Sequence, residues 1–146
     1  MMDLEFPEIL IVEDTPQDLE LTLRALTRAN LANKIHVARD GAEALDCLLG
    51  EGARLSPRLI MLDLKLPKVD GLEVLRRLKS EERTRTIPIV VLTSSDQHND
   101  VRAAYALGVN SYIVKPVNFE RFAQSVRDLG CYWLLLNRAP ETKDEA

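Results

Sequence analysis

Short apolar runs alternate with longer helical segments along the sequence, and this alternation limits the folds that the chain can adopt. Each run is followed by a segment in which apolar residues recur every three or four positions. Strands that alternate with helices of about ten or more residues are typical of a parallel sheet covered by helices on both faces. We therefore predict an α/β fold. The predicted strands are 9–12, 34–38, 59–62, 87–93 and 110–114.

The five strand–helix units fit one topology best. Right-handed crossovers exclude most strand orders, and the doubly wound order 2-1-3-4-5 fits the units that remain. We predict a flavodoxin-like (βα)5 fold with a five-stranded parallel sheet of that order and helices on both faces. In such a sheet, ligands bind where the strand order reverses, beside the carboxyl ends of the first and third strands.

Capping residues mark the start of several predicted helices. Thr15 is followed by Pro16 and, three residues after Thr15, by Asp18, which is the pattern of a capping box at the first helix. Asp40 and Asn118 are the predicted N-caps of the second and fifth helices. The predicted inward stripe of the fifth helix is Phe122, Val126, Leu129 and Trp133.

The composition fits one compact domain. The chain has 146 residues, of which 46% are hydrophobic and 29% are charged. We predict a single domain over residues 1–137, with its core at about 8–129 and its last helix reaching about residue 136. Residues 138–146 are rich in acids, and we expect them to form a flexible acidic tail.

Charge and hydropathy argue against several classes of protein. The net charge of −4 is unlike that of a nucleic-acid domain, which normally carries a basic stripe. No apolar run approaches the roughly 20 residues of a membrane helix, and the acidic start MMDLEFPE is unlike a signal peptide. We therefore expect a cytoplasmic protein that binds neither nucleic acid nor membrane. We expect Cys47 and Cys131 to be unbridged, because their helices should lie on opposite faces of the sheet.

Polar side chains follow four of the five predicted strands. Glu13 and Asp14 follow the first strand, Asp63 the third, Thr93 the fourth and Lys115 the fifth. Because carboxyl ends of parallel strands meet at one edge, three carboxylates should lie together there, and an all-oxygen cluster of this kind suits Mg²⁺. A carboxylate is also a nucleophile for phosphoryl groups, and a metal with a lysine supplies the charge neutralisation that the transfer needs.

These residues resemble the receiver domains of two-component response regulators. The motifs that carry the resemblance are ILIVED, LDLKLPKVDG, VVLTSS and YIVKP, each at the end of its own predicted strand. The resemblance covers roughly residues 8–129. It implies a phosphorelay protein that catalyses only its own phosphorylation and dephosphorylation and is otherwise not an enzyme.

The resemblance also implies roles for individual residues. Asp63 would accept a phosphoryl group from the phosphohistidine of a sensor histidine kinase, and the phosphorylated form would signal through a partner or by onward transfer. Mg²⁺ would be bound directly by Asp14 and Asp63, by Glu13 through water, and by the backbone carbonyl of Lys65. The family often has Asn or Met at the Lys65 position, so this cation could alter dephosphorylation.

The remaining implied roles concern the fourth and fifth strands. Thr93 and Lys115 would each bind a phosphoryl oxygen. Tyr112 would be the switch aromatic, which turns inward when Thr93 is drawn toward the phosphoryl group. The peptide bond between Lys115 and Pro116 is typically cis in this family, which costs little before a proline and would aim the lysine into the site.

Other functions remain open at this stage. A phosphatase with an aspartyl-phosphate intermediate would have a second Asp two residues after the nucleophile, where Lys65 stands. A flavin or dinucleotide binder would carry a glycine-rich fingerprint, and the sequence has none. A pseudo-receiver that acts as a docking module, without regulation by phosphorylation, would usually lack Asp63, the acidic pair or Lys115.

The last helix carries more apolar surface than the core needs. Residues 131–136 read CYWLLL, and Tyr132, Leu134 and Leu135 fall outside the inward stripe. An exposed apolar patch usually marks an interface, so we predict a homodimer through this helix; packing under residues 4–6 is the alternative. The aromatic-Trp-Leu ending, the loop at 50–57 and the absence of an output domain resemble the stand-alone regulators paired with phytochromes. That likeness implies a phytochrome-type photoreceptor kinase as partner.

Overall fold

The structure, a computed structural model, describes residues 9–31, 34–52, 55–115 and 118–133. Within these ranges five strands alternate with five helices. The strands are β1 (Ile9–Val12), β2 (Ile35–Ala38), β3 (Leu59–Leu62), β4 (Ile89–Thr93) and β5 (Ser111–Val114). The helices are α1 (Pro16–Arg28), α2 (Gly41–Leu49), α3 (Gly71–Ser80), α4 (His98–Ala106) and α5 (Phe119–Cys131).

The strands form one parallel sheet in the order β2-β1-β3-β4-β5. This confirms the predicted doubly wound topology, with β1 and β3 as neighbours at the point where the order reverses. Val12 pairs with Leu62 in the register of these two strands. The residues that follow, Glu13 and Asp63, therefore leave the sheet side by side.

The core lies on both faces of the sheet. Every residue of β1, β3 and β4 is buried, as expected for central strands of a sheet with helices on both sides. Helices α1 and α5 cover one face, and α2, α3 and α4 cover the other. Fully burying a Leu or Ile side chain contributes about 1.5–3 kcal/mol, so these three strands give the site a rigid base. The inward stripe predicted for α5 packs on the sheet face that α1 and α5 cover.

Strand β4 begins at Ile89, two residues later than predicted. The backbone N–H of Ile87 donates to the Thr84 carbonyl instead of to a neighbouring strand, and the Ile87 carbonyl accepts from Lys79 Nζ at 3.2 Å. Pro88 has no N–H to give to the sheet. The apolar sequence pattern continues across this turn, but the backbone groups of Ile87 are bonded to partners outside the sheet.

Two of the predicted helix caps are confirmed in full, and the third, Thr15, is confirmed as the N-cap position before Pro16 but not in its side-chain bond. Asp40 Oδ1 accepts from the Glu43 N–H at 2.7 Å, and Asn118 Oδ1 accepts from the Arg121 N–H at 3.2 Å. Thr15 makes no side-chain capping bond at the start of α1. The predicted capping box therefore does not form, and its acidic member has another partner, described below.

Several sequence-based predictions concern residues that the structure describes only in part or not at all. Cys47 is a free, half-buried thiol on α2, as predicted, whereas the side chain of Cys131 lies outside the description. The domain boundary near residue 137, the tail 138–146 and the segment 4–6 are also outside it. Among the described helices, none has the length and apolar character needed to cross a membrane.

The loop that follows Asp63 is held by two helix starts that have no room for a methyl group. A Cβ on Gly71 would lie 2.3 Å from the Asp63 carbonyl oxygen, and one on Gly41 would lie 1.8 Å from the Val69 carbonyl oxygen. The Gly71 N–H also donates to the Leu64 carbonyl at 2.9 Å. The packing of these two glycines thus fixes where the end of β3 presents Asp63.

Gly71→Ala should lower the free energy of unfolding by about 1–3 kcal/mol, because the added methyl group meets backbone that can shift only by loosening the end of β3. Chemical denaturation measures this change. Gly130→Ala is the matched control, since the nearest atom there is the mobile side-chain tip of Leu31 at 2.7 Å. That variant should be nearly neutral, and equal losses in both variants would contradict the packing argument.

Candidate functional site

The ends of β1, β3 and β5 bring two acids and a lysine into direct contact. Lys115 Nζ donates to Glu13 Oε1 at 2.6 Å and to Asp63 Oδ2 at 3.2 Å. The three side chains are 11%, 4% and 7% exposed respectively, so water does little to screen these charges. The sequence predicted this grouping correctly from the strand ends.

Asp18 is a third carboxylate on the same lysine. Its Oδ2 accepts from Lys115 Nζ at 3.0 Å, and its side chain is 36% exposed at the edge of the cluster. The sequence interpretation missed this residue because it assigned Asp18 to the capping box at Thr15. Its place in the first turn of α1, directly after β1, was the available signal, since that turn faces the ligand-binding edge of the sheet.

Burial and charge shift the protonation of the cluster. Burial raises the pKa of Glu13 to about 7, and the charge of Asp63 adds to this, although the hydrogen bond from Lys115 opposes it. Burial by itself would lower the pKa of Lys115, but the bond to Glu13 and the charge of Asp63 outweigh it and raise that pKa. The lysine therefore stays charged, and Glu13 is the acid that takes up a proton near neutral pH.

Glu13, Asp14 and Asp63 can together act as metal ligands. Each offers one carboxylate oxygen, and the three oxygens lie within 4.8 Å of one another. An all-oxygen donor set fits a hard divalent cation such as Mg²⁺ or Mn²⁺. The Lys65 N–H donates to Asp63 Oδ1 at 3.2 Å and helps to orient that carboxylate. The predicted ligation by the Lys65 carbonyl stays a prediction.

Thr93 and Tyr112 are joined through Ser95. Thr93 is fully buried at the end of β4, and its Oγ1 accepts from the Ser95 N–H at 3.4 Å. Tyr112 is half-buried, and its hydroxyl donates to the Ser95 carbonyl at 2.8 Å. Burial raises the pKa of Tyr112, so this hydroxyl stays a donor. The predicted cis bond at Lys115–Pro116 lies outside the described residues.

A second chain of contacts links the site to the start of α4. The Ser95 hydroxyl donates to the Asp100 carboxylate, and Lys65 Nζ lies 3.8 Å from Asp100 Oδ2. A cavity of about 490 Å³ lies beside this ion pair, and Asp14, Lys65 and Asp100 are among its lining residues. The sequence interpretation missed both Ser95 and Asp100, which no local pattern distinguishes from ordinary loop residues.

The stability of the cation-free protein should fall as the pH rises from about 5.5 to about 8, by roughly 2 kcal/mol. The pKa of folded Glu13 is raised from 4.5 to about 7, so in this range the folded state holds a proton that the unfolded state has lost. Stabilisation present at low pH is lost as the pH passes through 7. Urea denaturation in a chelator at both pH values measures this, and Glu13→Gln should show a flatter dependence. Identical slopes for the two proteins would contradict the assignment.

Known proteins are similar to this chain both in sequence and in fold. Residues 9–127 match the family described as the response regulator receiver domain. FilR2 of Methanothrix harundinacea, a probable methanogenesis regulatory protein, is 48% identical over 134 residues, covering 90% of this chain and 86% of FilR2.

Two solved structures carry the comparison further. The phosphorylated cyanobacterial phytochrome response regulator RcpA has a TM-score of 0.84 and 38% identity, covering 93% of this chain and 99% of RcpA. The Mn²⁺-bound form of the response regulator Rcp1, a Synechocystis protein, has a TM-score of 0.82 and 34% identity, covering 92% of this chain and 100% of Rcp1. With the fold and the strand-end cluster, these matches show that the chain belongs to the response regulator receiver family of two-component signalling.

Proposed function

We propose that Asp63 is the phosphoacceptor of this receiver and takes its phosphoryl group from the phosphohistidine of a sensor histidine kinase. The observation that carries the proposal is the position of Asp63 on the central strand β3. Glu13 and Asp14 lie on one side of it at the end of β1, and Thr93 ends the neighbouring strand on the other side. Lys115 contacts Asp63 directly. A phosphoryl group on Asp63 would thus have Thr93 and Lys115 as hydrogen-bonding and cationic partners on one side, and the acids that could hold a divalent cation on the other.

The phosphoryl transfer requires little acid–base chemistry from the protein. An Asp63 carboxylate oxygen forms a bond to phosphorus while the bond from phosphorus to the histidine nitrogen breaks, and the electron pair leaves with the imidazole. Thr93 and Lys115 then bind phosphoryl oxygens. The candidate ligands for Mg²⁺ are Glu13, Asp14, Asp63 and the Lys65 carbonyl. When bound there, Mg²⁺ supplies neutralisation of the charge on the transferring group.

The alternative of a docking module without phosphorylation is less well supported. Such a module needs neither an acid cluster with metal-ligand spacing nor a buried lysine beside it, and this chain has both. We infer that this receiver is active in phosphotransfer.

Incubation with acetyl phosphate and Mg²⁺ should add about 80 Da, the mass of one phosphoryl group, to the wild-type protein, and Asp63→Asn should abolish this adduct. Intact-protein mass spectrometry measures it. Asp70→Asn is the matched control, since Asp70 lies in the same stretch but caps α3 through the Glu73 N–H, a role that Asn also fills. Persistent labelling of Asp63→Asn would exclude Asp63 as the acceptor.

We propose that Ser95 transmits phosphorylation from Thr93 to Tyr112. When Thr93 Oγ1 turns to a phosphoryl oxygen, it gives up the bond from the Ser95 N–H. The loop can then move, and the carbonyl that holds the Tyr112 hydroxyl moves with it. A signal of this kind works only if the two positions of Tyr112 make different contacts with a partner.

We propose a phytochrome-type kinase as partner, supported by the likeness to a phytochrome response regulator. We also propose a cytoplasmic location, which the free thiol of Cys47 supports because reducing compartments keep thiols unpaired.

We propose in addition a homodimer through the end of α5. Tyr132 is 46% exposed there, and its ring meets Trp133 edge-on with 4.9 Å between the centroids. Trp133 packs against the core and holds this ring in place. Leu134 and Leu135, which complete the predicted patch, lie outside the described residues. Burying about 300 Å² per subunit at roughly 25 cal/mol per Å² would offset part of the cost of association.

Tyr132→Ser should weaken this dimer by at least about tenfold, since exposed aromatic anchors contribute most to such interfaces. Sedimentation equilibrium at micromolar concentration measures the dissociation constant. Tyr105→Ser removes a similarly exposed tyrosine, 52% exposed on α4, and should leave the dissociation constant unchanged. A monomeric wild type, or equal effects of both changes, would exclude this interface.

A further inference from the structure

Lys115 is bound by three carboxylates, and they are not equivalent. Glu13 and Asp63 belong, with Asp14, to the group whose oxygens can hold a divalent cation. Asp18 lies outside that group but contacts Lys115 Nζ at 3.0 Å, a distance between those of the other two acids. Asp18 is therefore free to keep the lysine when the other two acids are needed elsewhere.

The start of α1 gives up a favourable local interaction to make this contact. The Thr15–Asp18 spacing is that of a capping box, in which the acid would return to the N–H of Thr15. Instead Glu13 Oε2 takes that N–H at 3.3 Å, and the Thr15 side chain caps nothing in the first turn. A local sequence preference that is overridden in a folded protein is expected at functional sites. Asp18 thus has a role beyond helix formation.

We propose that Asp18 is a positioning residue that retains Lys115 when Glu13 and Asp63 turn their oxygens to a divalent cation. This inference rests on the proposed function of the same site. The Lys115 side chain is 11% exposed, so losing all its acceptors at once would leave a nearly buried charge unpaired. Asp18 would keep one of the three N–H donors of Lys115 occupied and leave the other two available for a phosphoryl group on Asp63.

The position of Asp18 suits this role. Its side chain is 36% exposed, so it reaches the lysine from the solvent side and does not occupy the space between Glu13, Asp14 and Asp63. An ammonium group has three donors. Lys115 can therefore bind a phosphoryl oxygen with one N–H while Asp18 accepts from another.

A simpler role would be plain electrostatic attraction of the cation by the charge of Asp18. The two roles differ in their dependence on Lys115. Attraction acts whether or not the lysine is present, whereas retention of Lys115 has no meaning once the lysine side chain is removed. A double-mutant cycle between Asp18 and Lys115 separates them.

The experiment measures Mg²⁺ affinity by titration calorimetry, with Mn²⁺ binding by electron paramagnetic resonance as a second readout. Asp18→Asn should weaken binding by about threefold to fivefold, the upper part of the range expected for a partly exposed ion pair. In the Lys115→Met background the same change should alter affinity by less than about twofold. Asp18→Glu should restore the wild-type value within about twofold, since it keeps the charge on the same turn. Glu20→Gln, an exposed acid on α1, is the matched charge control and should be neutral.

Equal weakening by Asp18→Asn in both backgrounds would overturn retention in favour of plain attraction, and unchanged affinity in the wild-type background would overturn both. If Lys115→Met does not fold, Lys115→Gln provides the second background. Phosphorylation of the wild type at Asp63 is followed in parallel by mass spectrometry. If the wild type is phosphorylated normally but Asp18→Asn has the same effect in both backgrounds, this inference alone is wrong. If the wild type is not phosphorylated, the proposed function is wrong.

Discussion

The ion cluster around Lys115 is the interaction on which the rest of this structure depends. A nearly buried ammonium group and its carboxylates are costly to remove from water, and the cost is offset only if each partner is held in place. The strand register supplies this, because β1 and β3 pair so that Glu13 and Asp63 emerge together, and β5 adds Lys115 from two strands away. The apolar core provides most of the stability, and the cluster uses part of it to hold like charges close together.

The same cluster explains how the protein can fold before any cation binds. Lys115 supplies positive charge among the acids, and Glu13 can take up a proton near neutral pH. A divalent cation therefore competes with an internal lysine and a proton for the same oxygens. Its net affinity is a difference between two well-paired states, which favours reversible binding over permanent occupancy.

Sequence patterns predicted the features that follow from the repeated strand–helix unit. The strand order follows from five repeats of one unit, and the grouping of Glu13, Asp63 and Lys115 follows from strand ends that share one edge. The role of Asp18 was not predictable in this way. Asp18 lies in the first turn of a helix and not at a strand end, and its contact with Lys115 competes with a capping pattern that is itself favourable. The first residue of β4 was predicted wrongly for a related reason. The Lys79 side chain donates to the carbonyls of Arg85 and Ile87, in the turn that precedes the strand.

Ser95 offers a final consequence. It accepts from Tyr112 through its main-chain carbonyl and donates to Thr93 through its main-chain N–H, while its hydroxyl alone reaches Asp100. The connection between the buried threonine and the tyrosine is therefore made by atoms that every amino acid except proline possesses. A substitution of this side chain would therefore change the contact with α4 and leave both main-chain bonds, from Ser95 to Thr93 and from Tyr112 to Ser95, in place.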